Sequence, residues 1–319
     1  MHDTNNIKYK KKMINNNECC SQCQKTSYLP VRSSWAKAAL TKIESDQHLA
    51  DIDRRTWYRL TRSDLLLEEL RELFHEFHED EETTKFIDQS QNRSDNIPLQ
   101  VLHSLASSLL TVFIARTSAN GLIGRGRMFV YSTNQFKTLL GLDNNSQFKF
   151  KSLLDIGAGD GSVTRRMASL FEKVYATEMS KVMQWSLSNY GYEILDVDQW
   201  GDIKFDVITC LNVLDRCEKP LSLLKKIREH TNPNHGRVIM SLVLPFKPYF
   251  EYSKDHRPDE SIHIEGRLPE EQINEIVSNI FQPLGFRLKK ITRLPYLCEG
   301  DMERSYYFLS DYIFVLEIS

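Results

Sequence analysis

The feature that most restricts this chain is the run Leu153-Leu154-Asp155-Ile156-Gly157-Ala158-Gly159-Asp160-Gly161. A short apolar stretch, residues 152–156, ends in glycines at every second position, and an apolar-periodic segment, 163–171, follows at once. Strand, glycine turn and helix in that order need a backbone that bends sharply and lets a ligand lie against it, which glycine permits through positive φ and the absence of a Cβ. Downstream, the hydrophobic period switches repeatedly between strand and helix values. Strands are expected at 174–177, 192–197, 205–211 and 237–244, and helices at 179–189, 220–230 and 269–284. Strands alternating with helices specify an α/β architecture, a mostly parallel, doubly wound sheet. The last strand-like runs, 286–296 and 306–318, are joined only by 297–305, so they are expected to pair as a C-terminal antiparallel hairpin.

Open sheets of this kind bind ligands beyond the carboxyl ends of their strands. The turn departs from the GxGxxG spacing of dinucleotide folds, in which a pyrophosphate faces the helix N-terminus. Asp155 and Asp160 flank that position here; they repel a diphosphate and suit a cationic aminoacyl sulfonium. Glu178, at the end of the second strand, is placed to accept hydrogen bonds from ribose hydroxyls. Asp198, after the third strand, is a candidate for an adenine amino group. An acid, alternating glycines and a second-strand acid together resemble the class I S-adenosylmethionine-dependent methyltransferases. The resemblance implies a Rossmann-like fold preceded by a helical region, S-adenosyl-L-methionine as cofactor and S-adenosyl-L-homocysteine as product. Around the cofactor it implies Asp155, Gly157, Ala158, Gly159, Glu178, Asp198 and Asn212.

Further runs narrow the resemblance. These are Arg116-Thr117-Ser118-Ala119-Asn120-Gly121-Leu122-Ile123-Gly124-Arg125-Gly126, Leu211-Asn212-Val213-Leu214-Asp215-Arg216-Cys217, Leu242-Val243-Leu244-Pro245-Phe246 and Arg293-Leu294-Pro295-Tyr296-Leu297-Cys298-Glu299-Gly300-Asp301. From about Leu99 to the C-terminus the chain is similar to the DREV family, that of methyltransferase-like protein 9 and its relatives. That resemblance implies a protein-histidine N-pros-methyltransferase acting on His-x-His motifs of protein or peptide substrates, with Asn212, Asp215 and Tyr296 at the acceptor site. Methyl transfer to Nδ1 of an imidazole needs the proton on Nε2, and a group that accepts from Nε2–H holds that tautomer. Asp215 is assigned as that acceptor and eventual proton sink, and Asn212 as a partner of either the ring or the substrate backbone; the competing reading pairs Asp215 with Arg216 or makes it a helix cap. Tyr296 would close a wall of the pocket, or pack in the core. Arg116 and Arg125 bracket a glycine-rich loop and would serve cofactor or substrate. The same cofactor site would also serve a small molecule or RNA as acceptor, or a non-catalytic binding protein.

Charge bears on that choice: 41 Lys and Arg against 43 Asp and Glu give a net charge of −2, which argues against nucleic acid as partner. The Cys20–Cys23 pair lacks a second ligand pair for zinc, His75 and His78 lack a third ligand and read as a solvated helix face, and no metal is expected. Of the six cysteines, three crowd the N-terminus and three are scattered, with Cys210 and Cys217 read as packing residues; no disulfide framework results, which points to a reducing, intracellular and cytoplasmic setting. Residues 1–30 are polar and expected to be a disordered tail; residues 31–150 form a helical region packed on the catalytic domain, 151–319. In the helical region Trp57, Leu60, Leu65, Leu66, Leu67, Leu70, Leu73, Phe74 and Phe77 fall near helical spacing. Residues 97–115 lack Asp, Glu, Lys and Arg, yet alternate polar and apolar faces as an amphipathic helix rather than a membrane span. A monomer is expected.

Overall fold

The computed structural model describes residues 34–110, 123–251, 253 and 255–319. The N-terminal tail with its cysteine pair, and Arg116, lie outside them. Packing divides the chain at Leu40. Of the first unit only Ser34–Leu40 is described, as the opening of helix α1 (Ser34–Ala50).

The second unit is built on one sheet. In chain order its described strands are β1 (Met128–Phe129), β2 (Phe150–Ile156), β3 (Phe171–Thr177), β4 (Glu193–Leu195), β5 (Val207–Leu211), β6 (Arg237–Val243), β7 (Phe286–Glu299) and β8 (Tyr306–Ile318). Their spatial order is β1-β7-β8-β6-β5-β2-β3-β4. From β4 to β6 all neighbours are parallel, β6 meets β8 antiparallel, and β7 and β8 pair antiparallel along almost their whole length. The expected terminal hairpin is therefore present. β1 adds an antiparallel edge, with Met128 opposite Cys298 and Phe129 opposite Leu297.

Alternation along each strand feeds two cores. Leu154, Ile156, Ile208, Cys210, Val238, Met240 and Phe314 pack on one face, against Leu224 and Ile227 of helix α8 (Pro220–His230) and Ile273 of helix α9 (Pro269–Glu275). Leu153, Val207, Ile239, Ile313 and Val315 pack on the other, against Phe136 of α5 (Thr133–Leu139) and Met167 of α6 (Thr164–Ala168). Helix α7 (Lys181–Asn189) joins β3 to β4. Residues 269–284, expected as one helix, form α9 and then a π turn, Ile276–Phe281, which buries Ile276, Val277, Ile280 and Phe281. Its wider winding lets Gln282 N–H donate to Val277 O at 3.0 Å.

The region before the sheet departs further from expectation. Instead of continuous helix, residues 51–80 hold 3-10 turns at Arg54–Tyr58 and Ser63–Leu65, a short α2 (Glu68–Glu72), and extended chain that bridges Phe74 to Ile291 of β7. The physical reason is that the apolar residues do not share one face: Leu66 and Leu70 enter one core, and Trp57, Tyr58 and Phe77 the other. His75 and His78 therefore lie outside any helix. His75 N–H donates to Ile291 O at 2.8 Å, and its ring meets Phe77 edge-on.

Helices α3 (Glu81–Asp95) and α4 (Ile97–Leu110) follow. α4 is amphipathic as expected, and its polar side faces inward: Gln100, His103 and Ser107 are buried, while Ile97, Leu102 and Leu105 are 60–63% exposed. Gln100 Nε2 donates to Arg93 O at 2.9 Å. The inward side looks onto buried Glu299, which binds Arg93 at 2.8 Å and Arg127 at 2.6 Å. No described helix is long and apolar enough to cross a membrane.

Candidate active site

The glycine turn leaves β2 at the carboxyl edge of the sheet. Gly157 and Ala158 N–H both donate to Thr177 O, at 2.9 and 3.1 Å, which ties the turn to the end of β3. At Gly157, φ is +67° and a Cβ would meet Val213 Cγ2 at 2.7 Å, so no other residue fits without displacement. At Gly159, φ is +56° and the nearest atom a Cβ would meet is Met128 Cε at 3.9 Å, which leaves backbone that a ligand can approach.

Asp155 lies beneath this turn rather than at its surface. It is 2% exposed, and its two oxygens accept from Thr164 Oγ1 at 2.6 Å and Thr209 Oγ1 at 2.7 Å. Burial pushes its carboxyl up to about 6, against the two hydroxyls that pull it down. Asp155 thus pins the turn to α6 and β5. Asp160 accepts from Ser162 N–H and Oγ, both at 2.8 Å, and shapes the entry to the helix.

Half-buried Glu178 stands where β3 ends. Its Oε2 accepts from Gly159 N–H at 3.0 Å and its Oε1 from Ser180 N–H at 2.9 Å. Each carboxylate oxygen has a second lone pair, so Glu178 can hold the turn and still accept from a pair of hydroxyls. Asp198 is exposed, three residues beyond β4, with its N–H donating to Asp196 Oδ1 at 2.8 Å. An open glycine backbone beside a half-buried carboxylate fits the ribose and methionyl parts of S-adenosylmethionine.

The residues expected at the acceptor site lie past the end of β5 and on β7, beside β6 and β8. Asn212, just past β5, has φ +55°, a conformation asparagine tolerates better than most residues, and its N–H donates to Ser241 O at 3.1 Å. Its Nδ2 donates to Asp311 Oδ2 at 3.0 Å, and its buried Oδ1 has no partner among the described residues. Asp215 is largely buried, and its Oδ1 is likewise unpartnered. Arg216 Nε stands 3.7 Å from Asp215 Oδ2, so the competing ion pair is present but engages one oxygen only. Burial raises the Asp215 carboxyl above its ordinary range, with Arg216 opposing.

Tyr296 on β7 is half-buried, and its hydroxyl donates to Met128 Sδ at 2.5 Å. Burial raises its pKa, and Asp311, Arg216 and Asp215 all act on it electrostatically, so their charges lie within reach of its hydroxyl. Asp311, on β8 opposite Val243 and Leu294, is wholly buried, and burial pushes its carboxyl up to about 7, with Asn212 and Ser241 lowering it and Asp215 raising it.

The structure thus brings Asn212, Asp215 and Tyr296 together and adds Met128 and Asp311, which motif reasoning missed. Nothing in the sequence marks Met128. Asp311 did leave a signal: a carboxylate in the apolar run Tyr306–Ile318. Arg125 is half-buried in the loop before β1; Cys210 is buried in the core, as expected, and Cys217 is half-buried. Among the described residues no group of His, Cys, Asp and Glu could hold a metal ion.

The strand order, the glycine turn and the second-strand carboxylate define a Rossmann-like class I methyltransferase, with S-adenosylmethionine as cofactor. Residues 57–318 match the model of the DREV methyltransferases, and the chain belongs to that family. Among curated proteins it is similar to a mitochondrial ubiquinone biosynthesis O-methyltransferase of Schizosaccharomyces pombe, 32% identical over 108 residues. That stretch is 30% of this chain and spans only 39% of the relative's length. Among solved structures it is similar to an S-adenosylmethionine-dependent methyltransferase from Clostridium acetobutylicum, at 12% identity, covering 68% of this chain and 97% of that one with a TM-score of 0.39. It is also similar to magnesium protoporphyrin IX methyltransferase from Synechocystis with bound S-adenosylmethionine, at 16% identity, covering 58% and 77% with a TM-score of 0.37.

Proposed function

We propose that the chain methylates Nδ1 of histidine in His-x-His motifs of protein or peptide substrates. One observation carries the reading: Asn212 Oδ1 and Asp215 Oδ1 are buried oxygens without a partner among the described residues, near the glycine turn. Both are acceptors, and leaving them buried without a donor costs about 1–3 kcal/mol each. An imidazole that gives its Nε2–H to either one gains the missing bond and keeps its lone pair on Nδ1. When bound, S-adenosylmethionine supplies an electrophilic methyl on a sulfonium. As the N–C bond forms and the C–S bond breaks, the imidazole becomes an imidazolium. Asp215 faces that new charge and takes the Nε2 proton, a role favoured by the burial that raises its affinity for protons. Tyr296 closes the side of the pocket toward Met128. The reading also takes the substrate's second histidine from the family resemblance, and a reducing, intracellular setting from the free thiols of Cys210 and Cys217.

The test is to titrate the protein with S-adenosylmethionine by calorimetry, then offer a His-x-His peptide, a dihydroxybenzoate-type quinone precursor and RNA side by side with labelled cofactor. Label should enter the peptide. Label in the phenol or the RNA alone would reassign the acceptor while leaving the cofactor site intact.

A further inference from the structure

We infer that Asp311 is a positioning residue: it locks the Asn212 side chain with the amide oxygen free for the acceptor, and so determines which imidazole nitrogen receives the methyl. The regiochemical half of this inference rests on the histidine reading; the lock itself does not.

Asn212 has little freedom left apart from a flip of its amide. Its backbone is in the left-handed region, with N–H held by Ser241 O, and Gly157, against which Val213 packs, closes the next residue. The two ends of the amide are nearly the same shape, so sterics alone do not choose between them; hydrogen bonding does. The Asp311 carboxylate accepts, and it therefore faces Nδ2, at 3.0 Å. Oδ1 is the end left over, buried and without a partner among the described residues. The register makes Asp311 hard to displace, because β8 is held on both sides, by Val243 of β6 and Leu294 of β7. With the lock in place Asn212 offers only an acceptor, which matches Nε2–H and leaves Nδ1 nucleophilic. With the amide reversed, its N–H would meet the ring instead, hold the Nε2 lone pair and favour the other tautomer.

The decisive comparison uses three full-length chains: wild type, Asp311→Asn and the reciprocal pair Asn212→Asp with Asp311→Asn. Asn at 311 can donate or accept, so it removes the lock at almost constant shape. In the reciprocal pair the new amide donates to the new carboxylate, whose other oxygen again faces the acceptor. Asp311→Asn should lower kcat on a His-x-His peptide roughly tenfold or more, leave cofactor affinity within about twofold, and yield some Nε2-methyl product. The reciprocal pair should regain roughly half of the logarithmic loss and return to Nδ1 product. Wild-type kcat with pure Nδ1 product in Asp311→Asn, or a reciprocal pair no better than the single variant, would overturn the inference. A second readout needs no substrate. The Asn212 side-chain amide, assigned by its absence from Asn212→Ala in spectra of the asparagine-labelled protein, should exchange slowly with solvent in wild type. Exchange as fast as that of an exposed asparagine would refute the lock whatever the acceptor proves to be. A wild type that spares histidine but keeps a protected amide would refute the histidine reading alone.

Discussion

Asp155 and Glu178 both carry charge at the cofactor edge, and their surroundings give them different work. Asp155 has exchanged water for two threonine hydroxyls, and its raised proton affinity has a consequence for stability. With a folded pKa of about 6 against a usual 3.8, its contribution to stability is complete below about pH 4 and is lost as pH rises through about 6. Asp155→Asn removes this dependence. The unfolding free energy of the variant relative to wild type should therefore improve between about pH 4 and pH 7, by on the order of 3 kcal/mol. Urea denaturation across that range checks it, and a constant difference would contradict it. Glu178→Ala should instead act on the ligand, weakening S-adenosylmethionine and S-adenosylhomocysteine by about 1.5–3 kcal/mol. Calorimetry showing unchanged affinity in a folded variant would remove Glu178 from the site. At this scale the glycine turn was legible because strain and close approach admit few residue types. Met128 was not, because its place over Gly159 depends on a two-residue strand pairing with distant β7.

At the scale of elements, periodicity told where helices and strands fall better than which way they face. The hairpin β7–β8 and helix α8 lie where their patterns put them, since each buries apolar residues at a regular period. Helix α4 shows what a pattern leaves open: its period was readable, but its inward side faces the Arg93 carbonyl at the end of α3 and an ion cluster that Arg93 forms with Glu299 and Arg127, of which Glu299 comes from the far end of the chain. Two substitutions separate the readings. Leu102→Lys, on the exposed side, should change stability by less than about 0.5 kcal/mol. Gln100→Leu, on the buried side, strips the bond to Arg93 O and should cost about 1–3 kcal/mol. Thermal melts of the two variants check this; the reverse ranking would mean that α4 packs its leucines inward. Segment 51–80 was misread for a related reason, because its apolar residues serve two cores and so imitate a single stripe.

Across the whole molecule the alternating strands and helices bring the ends of β2, β3, β5 and β6 to one edge, and the terminal hairpin carries Tyr296 and Asp311 back beside them. The glycine turn and Glu178, expected at the cofactor, are close in sequence, and the fold places them together at the ends of β2 and β3. The residues proposed for the acceptor join positions from 128 to 311 and meet only when the sheet closes. The central claim is that buried acceptor oxygens hold an imidazole by its Nε2–H and present Nδ1 to the methyl. It is tested most directly by locating the methyl on a His-x-His peptide, by tandem mass spectrometry and NMR, for wild type and Asp215→Asn. The wild type should place it on Nδ1, and Asp215→Asn should bind cofactor normally while turning over roughly a hundredfold more slowly or worse, having lost the carboxylate that meets the imidazolium. A methyl on Nε2 or on lysine, or an Asp215→Asn enzyme with wild-type turnover, would contradict the account.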